Sequence, residues 1–107
     1  MPTYNKLVRD KIPQIIESKG KEFSTKILND KDYIKYLKEK AYEELDEYCE
    51  AETDGEAVEE LADLLEVVRA LSKQHGSTIE EVEKVRKVKA EKRGRFQKKV
   101  FLIKVDD

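Results

Sequence analysis

Cysteine and histidine each occur once in the 107 residues, at Cys49 and His75. An internal disulfide is therefore excluded, and a reducing cytoplasm is the expected setting. Cys49 reads as a small core residue rather than a nucleophile, because His75, the one histidine base, falls at a helix end. The opening MPTYNKLVRDKIP has no apolar h-region, and no apolar run approaches the roughly 20 residues of a membrane span. The protein is thus expected to be soluble and unexported, with no membrane partner. A glycine-rich phosphate loop is missing as well, which rules out a P-loop enzyme. There are no repeats, no low-complexity segments and no linker long enough to divide domains, so a single domain over residues 1–107 is expected.

One absence is local. Residues 43–66, EELDEYCEAETDGEAVEELADLLE, hold twelve of the 24 acids and no Lys or Arg, although the whole chain has 22 basic residues. Both flanks read as helix, YIKYLKEKAYEELDEYCEAE and AVEELADLLEVVRALSKQ, and Thr53-Asp54-Gly55 between them is turn chemistry. The expected element is an antiparallel helical hairpin.

Within it, Glu44 and Glu47 are three apart on the first helix, and Glu60 and Asp63 are three apart on the second, so each pair projects from one face. The midpoints of Glu47 with Glu60 and of Glu44 with Asp63 coincide at the turn. Residues equidistant from the turn lie at equal height, so the four form two facing pairs, roughly 10 Å from the tip at 1.5 Å rise per residue. Glu44 interrupts the stripe Leu37, Ala41, Tyr48, Ala51, and Glu60 interrupts Ala57, Leu64, Val67, Leu71. Burying one carboxylate costs about several kcal/mol, and four facing one another repel unless a cation neutralises them. An all-oxygen set of this kind suits Mg²⁺ or Mn²⁺ better than zinc. Acidic runs are usually solvated helix faces. Mirror placement about the turn, intrusion into two apolar stripes and the missing cations separate these four from the other acids, with Glu43 and Glu59 as outlying candidates.

The rest of the chain supplies a frame. Asp10 is placed to cap a short helix containing Pro13 and ended by Gly20, with Lys6, Arg9 and Lys11 around its start. Residues 22–28, EFSTKIL, and 99–105, KVFLIKV, read as strands that pair with each other. Asn29 or Asp30 caps the first hairpin helix. Gly76 ends the second, and Ser77-Thr78 with Glu80-Glu81 forms a capping box for the next. The expected fold is all-α, a helical hairpin core in a four-helix-bundle-like domain with a minor two-stranded element. Val58, Leu61, Ala62, Leu64, Leu65, Val67, Val68 and Leu71 span over half the second hairpin helix, which calls for cover from more than one side. A homodimer or higher homo-oligomer is the expected source of that cover.

Residues 84–104 carry ten Lys or Arg against one acid, Glu91. An acidic cluster and a basic tail in one small domain suit a polyanion that binds through metal, and a nucleoside polyphosphate fits. The pattern E-E-x-x-E at Glu43, Glu44 and Glu47, followed by E-x-x-D at Glu60 and Asp63, resembles the signature of the all-α nucleoside triphosphate pyrophosphatases. YNKLVRDKIP and KRGRF-x-x-x-x-FL look like the short MazG-like subgroup, with Arg95 where members carry a second Gly. The resemblance implies Mg²⁺-dependent cleavage between the α and β phosphates to give a nucleoside monophosphate and pyrophosphate, a nucleotide-pool house-cleaning activity. It makes Glu44, Glu47, Glu60 and Asp63 the metal ligands and brings Lys6, Arg9, Lys89, Arg93 and Arg95 to the phosphates. Glu43 or one of the ligands would be the base for the attacking water.

Two readings from other classes compete. A non-catalytic helical module would bind metal without turning over nucleotide. Nucleic-acid binding by the basic tail is disfavoured, because only Phe96 and Phe101 could stack there and the acidic hairpin would repel the same backbone. Within the enzyme class, a phosphoribosyl-ATP or dUTP hydrolase is the alternative.

Overall fold

A computed structural model describes residues 2–107. It contains four helices, α1 (Ile12–Ser18), α2 (Asp30–Glu50), α3 (Asp54–Gln74) and α4 (Ile79–Arg93). Each hairpin helix is 21 residues long, about 31 Å at 1.5 Å per residue. Asn29 starts α2, its side chain accepting from Asp32 N–H at 2.8 Å. Thr53 starts α3, accepting from Glu56 N–H at 3.1 Å, while the Glu56 carboxylate accepts from Glu52 N–H at 3.1 Å. Glu56 therefore closes the turn instead of lining a face. The connection is shorter than the sequence suggests, since Asp54 and Gly55 already belong to the first turn of α3.

α3 ends where Gly76 takes φ +67, a left-handed conformation that side chains resist, and Thr78 then caps α4 by accepting from Glu81 N–H at 3.1 Å. The start of α1 differs from expectation. Lys11 occupies its N-cap without a side-chain hydrogen bond, so Asp10 is no cap.

The hairpin α2/α3 is the body of the molecule, with α4 against α3 and α1 in contact with no other helix. The all-α reading holds in this form, but one chain does not close a four-helix bundle. The two-stranded element is not seen: among the described residues no strand forms, and 22–28 and 99–105 run without regular structure. The physical reason lies in their surroundings. Ile27, Val100, Phe101, Leu102, Ile103 and Val105 are all exposed, so neither segment has the packed hydrophobic face that a two-stranded element needs for stability.

The core is thin. Leu37 and Val67 are its buried hydrophobic residues, joined by buried Glu44 and Ser72. No described helix is long and apolar enough to cross a membrane.

Candidate metal centre

Glu44 and Glu47, one turn apart on α2, and Glu60 on α3 converge between the two hairpin helices. Oxygens of Glu44, Glu47 and Glu60 lie within 4.8 Å of one another. Glu44 is buried at 7% exposure, Glu60 is half-buried and Glu47 is exposed, so the cluster opens toward solvent through Glu47. Glu44 Oε2 and Glu60 Oε2 are buried and have no hydrogen-bond partner among the described residues. Carboxylates are acceptors, and three of them facing one another present no donor. A buried acceptor left in that condition costs about 1–3 kcal/mol, more when charged. A proton or a cation among them supplies what the chain does not, and a set made only of carboxylate oxygens favours a hard divalent ion.

The same geometry governs protonation. Burial, the first cause, holds the Glu44 carboxyl above its usual range, and the neighbouring Glu47 charge adds to this. Glu60 is pushed up to about 7, first by the hydrogen bond its protonated form makes to Glu47, then by desolvation and by the bond to Glu44. Both folded values exceed the unfolded one, so between pH 4.5 and about 7 the folded state holds more protons than the unfolded chain. Stability contributed by these groups is complete below that window and declines as pH rises through it. In chelator, the melting temperature is expected to fall from pH 5 to pH 8, and Glu60→Gln to flatten that fall. Thermal melts of both proteins across the range check this, and a slope unchanged in the variant would show that the cluster does not share protons. Divalent metal should offset the fall on the alkaline side, because metal binding to carboxylates competes with protons.

Asp63, the fourth expected ligand, is held elsewhere. Its Oδ1 accepts from Arg9 Nη2 at 2.7 Å, across 54 positions of sequence. This ion pair brings the segment before α1 onto the hairpin. Beside it lies a groove of about 260 Å³, with Leu7, Val8, Tyr33, Leu37, Val67 and Ala70 as apolar walls and Arg9, Asp10, Lys40, Glu44, Asp63 and Glu66 as polar lining. Lys40 is a member of the site that sequence reading missed. Its Nζ lies 3.4 Å from Glu43 Oε2 and 3.9 Å from Glu44 Oε1. The signal was present in the i,i+4 spacing to Glu44, one turn before the cation-free stretch begins.

The other predicted residues fall into two groups. Glu43 is beside the cluster, paired with Lys40. Lys6 lies over the Tyr4 ring, 5.6 Å from its centroid, and does not line the groove. Lys89 and Arg93 are on α4, a helix with no buried residue, and Arg95 follows it, bordering a shallow dip with Lys87, Ala90 and Glu91. Among the described residues, none of Lys89, Arg93 and Arg95 lines the groove or pairs with the cluster. The chain matches no protein-family model, no curated protein and no solved structure.

Proposed function

We propose that the protein is a Mg²⁺-dependent nucleoside triphosphate pyrophosphohydrolase, with Mn²⁺ as an alternative ion, releasing a nucleoside monophosphate and pyrophosphate in the cytoplasm. The observation that carries this reading is the pair of unpartnered buried oxygens, Glu44 Oε2 and Glu60 Oε2, in a three-glutamate cluster beside a groove that also holds Arg9 and Lys40. In this reading Glu44, Glu47 and Glu60 hold the ion, with Asp63 as a fourth ligand. Bound there, a divalent ion would polarise the phosphoryl group and lower the pKa of a water.

The chain's own groups do the remainder. Arg9 and Lys40 offset the charge of the phosphates, Arg9 with the planar fork that suits phosphate oxygens. Glu43, beside Glu44 and 3.4 Å from Lys40, takes the proton of the attacking water. The apolar walls of the groove receive the nucleoside and limit water there.

We further propose that the working form is a homodimer joined through an apolar face of the hairpin. With 100° per residue, Tyr42 and Leu45 on α2 and Val58, Leu61 and Leu65 on α3 fall on one side of the hairpin, opposite to Glu47 and Asp63. All five are exposed, Tyr42 to 72% and Val58 to 65%. Pairing through that side leaves the acidic cluster open.

The test is pyrophosphate release from canonical and modified nucleoside triphosphates, dUTP and phosphoribosyl-ATP included, with and without Mg²⁺. Release that requires metal supports the enzyme and ranks its substrates. A second reading, a metal-binding helical module without turnover, draws on the position of Lys89, Arg93 and Arg95 outside the groove. Metal binding with no release from any substrate of the panel would establish it instead.

A further inference from the structure

Asp63 is the one acid of the expected set that does not join the cluster, and the group that holds it is itself a candidate phosphate ligand. The Arg9–Asp63 pair is short, 2.7 Å, yet open to solvent, with side-chain exposures of 58% and 41%. An exposed ion pair is worth no more than about a fivefold equilibrium ratio, so a divalent ion nearby can displace it. The ion has reason to do so. Three carboxylates fill only part of the roughly six-oxygen shell of a hard divalent ion, and Asp63 lines the same groove as Glu44. The cluster is more than a set of acids, because Glu44 is more than nine-tenths buried and directs an unpartnered oxygen into it.

We infer that Asp63 changes partners, bound to Arg9 in the metal-free protein and to the ion in the loaded one. This rests on the metal reading above and extends it. The consequence is a coupling between two ligands. Metal binding releases the Arg9 guanidinium into the groove it already lines, where its planar fork can take phosphate oxygens. Without metal, Arg9 is occupied by Asp63, and three facing carboxylates repel an anion. Metal and polyanion therefore favour each other's binding, and by linkage the effect is reciprocal. The segment before α1 is tied to the hairpin in the metal-free state and engages substrate in the loaded one.

The test uses the full chain and Mn²⁺ alone, with free Mn²⁺ followed by electron paramagnetic resonance for wild type, Arg9→Gln, Asp63→Asn and the double variant. Arg9→Gln is expected to tighten Mn²⁺ binding about three- to fivefold, by removing the competitor for Asp63. Asp63→Asn is expected to weaken it about tenfold or more. In the Asp63→Asn background the Arg9 substitution should change affinity less than about twofold, since its partner is gone. Equal tightening in both backgrounds overturns the exchange and leaves only a general effect of removing a positive charge. Unchanged affinity in Asp63→Asn overturns it too. A wild-type chain that binds no Mn²⁺ removes the metal reading itself, a result distinct from either. Inorganic tripolyphosphate supplies the second arm: the wild type should bind it at least about tenfold more tightly with Mn²⁺ present, and Arg9→Gln should lose most of that gain. A gain of full size in Arg9→Gln overturns the release of Arg9.

Discussion

Replacing Glu44 and Glu60 together by Gln is expected to lower Mg²⁺-dependent pyrophosphate release by at least about 10³-fold, because the ion's several kcal/mol of charge stabilisation is lost and each 1.36 kcal/mol is a factor of ten. The same change should make the metal-free protein more stable at pH 8. Glu44 and Glu60 carry the two buried oxygens without partners, and Gln has the same shape, no charge and two N–H donors to offer the remaining acceptors. Ordinary damage to a fold lowers activity and stability together. Here the two should move in opposite directions, so the loss of activity cannot be ascribed to unfolding. Pyrophosphate release, Mn²⁺ titration and thermal melts in chelator check the prediction on one pair of samples. Full turnover in the variant would mean that the metal acts elsewhere; a lower melting temperature would mean that the carboxylates are satisfied in a way the geometry does not suggest.

How far the sequence anticipates this site depends on the range of the interactions. Glu44, Glu47 and Glu60 were legible because helical spacing and mirror placement about a short turn are local regularities, and both hairpin helices carry stripes and caps that specify them. Lys40 obeyed the same spacing but lay just outside the stretch defined by its lack of cations. The Arg9–Asp63 pair was not legible as a contact, since nothing near Arg9 in the sequence specifies a partner 54 positions away. The strands failed for a related reason. Alternation in EFSTKIL and KVFLIKV describes which side chains share a face, but a strand also needs a neighbouring edge and something to bury that face against. Within one chain neither is provided. Gly55 shows the opposite case, a turn residue whose role was taken by Thr53, whose side chain caps α3 from two residues earlier.

Glutamate at both Leu61 and Leu65 is expected to convert the protein from a species of twice the 12.5 kDa chain mass to a single chain. The hydrophobic core of one chain is small. Leu37 and Val67 are its only buried hydrophobic residues among those described, whereas Tyr42, Leu45, Val58, Leu61 and Leu65 are exposed along one side of the hairpin. A stable association needs about 800 Å² from each partner, and two helices of 21 residues presenting five large apolar side chains can supply an area of that order. In a two-fold pairing the same patch meets itself, so each Glu confronts its own copy or a near neighbour, and four carboxylates enter a desolvated interface. Light scattering after gel filtration reads the mass directly. Because so little is buried in one chain, separation should also lower the melting temperature, and the wild-type melting temperature should rise with protein concentration, as mass action requires of a dimer. Leu65→Met, which preserves volume and polarity, should leave both unchanged. If the wild type runs as a single chain at tens of micromolar and melts cooperatively at a temperature independent of concentration, the apolar side of the hairpin is not a self-association surface, and the thin core alone supports the fold.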